Sequence, residues 1–150
     1  MKKAVMMIIG VIYLASIVVI SIFGMRSVVH NEIIPVTKIE CLNQTNEKYE
    51  VQILDDGTKL IKVKFTTPAD ITNMEGTMLQ IDWKVYPDNA TNKDIKFEYD
   101  RKTTRASIAT DEGGNEVGLF LFTGKVILYD VKIIATDGSK IFDKVTIWAY

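Results

Sequence analysis

A single cysteine, Cys41, makes an internal disulfide impossible, so the fold rests on its apolar core alone. The lone histidine, His30, lies outside the segment that reads as a domain, which leaves no base for a nucleophilic triad. No H-E-x-x-H helix, glycine-rich phosphate loop or Cys/His cluster occurs, and no D-x-D-x-D-G run marks a calcium loop. No long window repeats its apolar residues with a period of 3.6, which excludes a helical domain. The reading is therefore a non-enzyme with no cofactor and no metal.

Charge is absent from one long stretch. Ala4 to Met25 is a 22-residue run without a charged residue. As a helix rising about 1.5 Å per residue it spans a hydrocarbon core of roughly 30 Å. A cleaved leader has a shorter apolar region and small residues at its exit, whereas this run leaves through Phe23-Gly24-Met25-Arg26. The expectation is an uncleaved signal anchor over residues 1–25, touching membrane lipid through residues 4–25. Lys2 and Lys3 favour a cytoplasmic N-terminus and an extracytoplasmic C-terminal domain in a single-pass membrane protein. No small-xxx-small pair in the run argues for tight helix dimerisation.

Residues 26–35 read as a stem, and residues 36–150 as one domain large enough to own a core. From Asn31 onward the chain holds all 19 acidic residues against 15 of the 18 basic ones, a net charge of −4. That balance gives no footprint for nucleic acid.

What is present is alternation. Val36–Leu42, Lys48–Leu54 and Lys59–Thr66 read as strands, the last two joined by Asp55-Asp56-Gly57, a strong hairpin turn. Thr67–Gly76 is a connector. In Met78–Tyr86, Leu79, Ile81, Trp83 and Val85 share one face, and a slip of one residue would put Trp83 in water. Beyond the turn, Ile95, Phe97 and Tyr99 alternate with charged residues. Ala106–Ala109, Val117–Phe122, Val126–Thr136 and Ile141–Ala149 complete the set, with DEGGNE and Thr136-Asp137-Gly138-Ser139 as loops. Short strands at this spacing predict an all-β, immunoglobulin-like β-sandwich. Cys41 reads as a small buried hydrophobe in KIECL.

The segment LQIDWKVYPDNATNKDIKFEYD, followed by TRASIAT and TGKVILYDVKIIATDGSKIFDKVTIW, resembles the bacterial immunoglobulin-like domain group 2 of intimin- and invasin-type surface proteins. Pro87, Asn89, Ala90, Thr91, Asn92, Ala106, Gly124, Asp137 and Gly138 carry the match. The chain departs from the pattern at Phe97, where the family often has tryptophan. It departs again at Asp100-Arg101-Lys102-Thr103-Thr104 in place of a serine-rich bend, and in a longer DEGGNEVGLFLF link. The region Val36–Glu75 exceeds the family's first strand and connector, which implies an added hairpin at Tyr49–Phe65. In the PDNATN turn, Pro87 presets φ while Asp88, Asn89 and Asn92 are placed to bond nearby backbone groups. Asn89-Ala90-Thr91 and Asn43-Gln44-Thr45 also match the N-x-T sequon, and turn geometry suffices to explain the first.

Acidic loop residues Asp55, Asp56, Asp88, Asp111, Glu112, Glu116 and Asp137 are the places to look for calcium, although acids in loops are ordinarily turn formers. The resemblance implies a cell-surface binding or adhesion module with a protein or surface-glycan partner. The alternative is a structural or accessory subunit of a membrane or envelope complex, favoured by an exposed apolar patch around Phe120, Phe122 and Trp148.

Overall fold

A computed structural model describes Met6, residues 11–18 and residues 32–150. The chain divides into two compact units, Met1–Glu32 and Ile33–Tyr150. In the first unit residues 11–18 are helical and exposed. Among the described residues no helix is long and apolar enough to cross a membrane. The expected span over residues 4–25 lies mostly outside the described residues, as does His30.

The second unit is all-β. Ten strands follow one another: β1 (Lys38–Cys41), β2 (Tyr49–Ile53), β3 (Lys59–Val63), β4 (Met78–Gln80), β5 (Trp83–Tyr86), β6 (Ile95–Tyr99), β7 (Ala106–Thr110), β8 (Glu116–Phe122), β9 (Val126–Ala135) and β10 (Phe142–Ala149). One sheet has the order β2-β3-β10-β9-β6, a second β4-β8-β7, and β1 pairs with β5 alone. All pairings are antiparallel except β3 with β10, which runs parallel from Lys59 opposite Val145 to Val63 opposite Ala149. The hairpin expected at Asp55-Asp56-Gly57 joins β2 to β3, with Gly57 at φ 82°.

The sheets enclose one continuous core in a sandwich-like arrangement. Ile61, Val63, Tyr129, Val131, Ile133, Val145 and Ile147 come from the five-stranded sheet, and Leu79, Phe120 and Phe122 from the three-stranded one. Phe120 stands edge-on to Phe97 at 6.0 Å and to Tyr99 at 5.8 Å between ring centroids, so aromatic rings bridge the layers. Phe120 and Phe122 are fully buried, so neither belongs to an exposed patch of the kind that would favour the accessory-subunit alternative. Val117–Phe122 is apolar at every position except Gly118. The core takes the even positions, and Leu119 and Leu121 are left half-buried beside Met78 on the outer side.

The strand read as Met78–Tyr86 is two strands. After Ile81 donates to Gly118 O, Asp82 turns to β1, its carbonyl accepting from Leu42 N at 2.8 Å. Leu79 and Ile81 stay buried, Val85 stays in the core and Trp83 packs against it across the break, so the period of two continues through a change of sheet. Gly118 makes this crossing fit. Its φ is +73°, and a Cβ there would lie 2.7 Å from the Trp83 ring and 3.1 Å from Ile81 O.

Candidate binding surfaces

Three places in the Ile33–Tyr150 unit gather side chains beyond what the core needs. The first receives the incoming chain. In the PDNATN turn, Ala90 N donates to Pro87 O at 3.0 Å, and Asn92 Oδ1 accepts from Asp94 N at 2.8 Å. Asp88 instead pairs with Lys84, and Asn89 is exposed with no bond of this kind. Thr91 reaches outward: its N–H donates to Ile34 O and its Oγ1 accepts from Ile34 N. Two residues on, Val36 N donates to Asp137 Oδ2 at 2.6 Å, so two turns hold the incoming chain. The Ser139 hydroxyl and then the Val36 amide hold the Asp137 carboxyl below its usual range.

The second place is the gap between the edges of β2 and β4, where Asn43-Gln44-Thr45-Asn46 runs. Asn43 is 3% exposed and makes four side-chain hydrogen bonds. Its Nδ2 donates to Tyr49 Oη at 2.9 Å and Gln80 O at 2.8 Å, and its Oδ1 accepts from Asp82 N at 2.9 Å and the Cys41 thiol at 3.2 Å. The amide takes the place of a strand that is missing beside β4. Thr45 Oγ1 both accepts from Val51 N and donates to Val51 O, and Asn46 does the same work at Tyr49, so side chains close the outer edge of β2. Outside this seam lies an open groove of about 670 Å³ lined by Tyr49, Val63, Lys64, Met74, Met78 and Leu119 among others. Cys41 is fully buried with its thiol on Asn43 Oδ1, and burial pushes its thiol pKa up, which makes it a poor nucleophile.

The third is apolar and exposed. β9 bulges against β10 between Tyr129, opposite Ile147, and Val126, opposite Ala149. The residues in between, Ile127 and Leu128, are 75% and 61% exposed, and Leu128 has φ 50°, a left-handed conformation rare for leucine. Trp148 lies opposite, half-buried, with its ring 5.6 Å from that of Tyr150 and Lys62 Nζ 5.5 Å above it. A strip of two aliphatic and two aromatic side chains therefore lies on the outer face of the larger sheet. It is at the opposite end of β9 from the Thr136–Ser139 turn, about 30 Å away at the usual strand rise. Trp148 is a candidate for an exposed patch from the sequence, but strand periodicity cannot reveal Ile127 and Leu128, because a bulge sends two consecutive residues outward.

The acidic loop residues are not brought together. Asp56 accepts from Thr58 N, Asp111 from the amides of Gly113 and Asn115, and Asp137 from Val36 and Ser139. Glu116 takes Tyr99 Oη and Arg101, each at 3.0 Å. Among the described residues no group of three or more acid, cysteine or histidine side chains is placed to hold a metal ion. Burial, above all, pushes the Tyr129 phenol pKa up to about 12, and its hydroxyl is spent on Asp100 O at 3.1 Å.

No family model matches the chain, and no curated protein or solved structure does either.

Proposed function

We propose that the chain is a membrane-anchored, extracytoplasmic immunoglobulin-like domain that acts without catalysis as a cell-surface binding or adhesion module. The strand order supports the immunoglobulin-like reading. β4-β8-β7 matches the B-E-D order of such a sandwich, and β6-β9-β10 matches C-F-G, with β1 beside β5 in the A position. β2 and β3 then form the added hairpin beside the last strand. The anchored reading rests on the charge-free run ahead of the domain.

The observation that carries the binding reading is the strip of Ile127, Leu128, Trp148 and Tyr150. It holds exposed apolar side chains that the core does not use, at the end of the sheet farthest from the incoming chain. The same strip supports the second reading, an accessory subunit, because consecutive aliphatic side chains suit a protein surface better than a sugar. The test has two arms. External protease added to intact cells expressing the full chain is expected to digest the C-terminal domain; a protected domain, or a released form lacking residues 1–25, overturns the anchored reading. Ile127→Ser with Leu128→Ser is expected to abolish surface attachment while leaving the folded near-ultraviolet spectrum intact. Unchanged attachment removes the strip from the function.

A further inference from the structure

The edges of the sheets are treated unequally. Thr45 and Asn46 cap β2. Asp143 and Lys59 reach the main chain of Cys41 and cap β1. β7 is interrupted by a bulge between Ile108 and Thr110, and β4 is three residues long with Asn43 on Gln80 O. β6 has none of these devices. Thr136 N donates to Asp94 O, which makes the even residues of β6 the ones bonded to β9. The N–H and C=O groups of Ile95, Phe97 and Tyr99 therefore point to the open side. Among the described residues no side chain or backbone group meets them. Native edges of this length and regularity are ordinarily blocked, because six unpaired backbone groups in a row form a template for another strand.

We infer that the occupant of this edge is β6 of a second copy of the chain, the two strands running antiparallel about a two-fold axis at Phe97. The side chains favour that register. Setting Phe97 opposite Phe97 of the second copy places Ile95 opposite Tyr99 as a hydrogen-bonded pair and uses all six free groups. It also places Lys96 opposite Glu98 twice, once on each side of the axis, on the exposed face. Glu98 already accepts from Lys132 at 2.9 Å, so each Glu98 lies between its own Lys132 and the incoming Lys96. Lys96 has no partner of its own among the described ion pairs. Asp94 falls opposite Asp100 at the ends of the pairing, which keeps the association reversible. The dimer joins the two five-stranded sheets into one of ten strands. It does not depend on where the chain is located or on what the apolar strip binds.

The experiment is sedimentation of the full chain in detergent over a range of concentrations. A monomer–dimer equilibrium is expected. Lys96→Glu or Glu98→Lys, each setting like charges opposite one another at two places, is expected to raise its dissociation constant about tenfold or more. The double variant Lys96→Glu/Glu98→Lys restores opposite charges across the axis but sets like charges at 98 and 132 within each chain, so Lys132→Glu is added to it, and this triple variant is expected to restore the dimer. Near-ultraviolet circular dichroism checks that each variant is folded. A purely monomeric chain, a dimer indifferent to both reversals, or a triple variant as weak as the singles overturns the proposal. Crosslinking gives an independent reading of register. Residues 96 and 98 of opposite chains form a non-hydrogen-bonded pair with Cα atoms about 4.5 Å apart, within disulfide reach. Mixed Lys96→Cys and Glu98→Cys chains are expected to oxidise to a covalent dimer, with either chain alone lagging well behind; equal yields for the single chains and the mixture overturn the register.

Discussion

Asn43-Gln44-Thr45-Asn46 and Pro87-Asp88-Asn89-Ala90-Thr91-Asn92 are spelled alike, each rich in asparagine and containing an N-x-T triplet, yet they do opposite work. In the first, Asn43 is buried, and its amide stands in for a missing strand between two sheets. In the second, Asn89 lies in solvent and Thr91 and Asn92 make the bonds, one of them to a residue 57 positions earlier in the chain. The difference is one of surroundings. An asparagine amide has both donor and acceptor groups that match a peptide, so it can terminate a turn or replace a piece of backbone, and only its burial decides which.

The comparison can be broken at several points. Asn43→Ala is expected to have the largest effect, about 3 kcal/mol by denaturant unfolding, since it removes a buried amide and leaves both the part-buried Gln80 carbonyl and the Asp82 amide without their partner. A loss under about 1 kcal/mol would mean that water fills the role. Thr91→Val removes one acceptor from an exposed backbone amide and is expected to cost about 1 kcal/mol, with faster hydrogen exchange at Ile34.

Acid sharpens the picture of the incoming chain. The Asp137 carboxyl has a folded pKa below its unfolded one, so its contribution is present above the unfolded value and is lost as pH falls through the folded value. Protection of the Val36 amide is expected to drop over that interval, below the ordinary carboxylate range, while that of Val131 in the core persists. Equal loss at both would make the event global unfolding. Asn89→Ala is expected to change stability by less than about 0.5 kcal/mol, as for an exposed residue without partners. A larger loss would show that the two segments are more alike than their bonds suggest.

Much of the fold was legible because alternation reports burial directly. Leu79, Ile81 and Val85, and again Val131, Ile133 and Ala135, are buried where the period of two places them, and the Asp-Gly turns fall where expected. Alternation says nothing about partners. The break at Asp82 keeps the parity of Met78–Tyr86 and so leaves no trace in the pattern, and the parallel neighbourhood of β3 and β10 joins residues more than 80 positions apart. Local exceptions were equally hidden. Gly118 looks like any loop-edge glycine until Trp83 and Phe97 are seen against it, and the outward pair Ile127 and Leu128 depends on a bulge whose residue is a leucine rather than a glycine. Asn43 read as a candidate sequon. Its role needed the positions of Tyr49, Gln80 and Asp82, which the chain brings together only on folding.

The bonds from Ile34 to Thr91 and from Val36 to Asp137 have a mechanical meaning. Tension arriving along the chain ahead of residue 34 does not peel one strand away from its end. It is divided between two turns from separate parts of the chain before it reaches the β1–β5 ladder, which begins where Thr37 N meets Tyr86 O. Rupture under force is governed by the unfolding barrier rather than by equilibrium stability. A pull applied ahead of residue 34 in a force experiment would therefore load both turns before the first ladder.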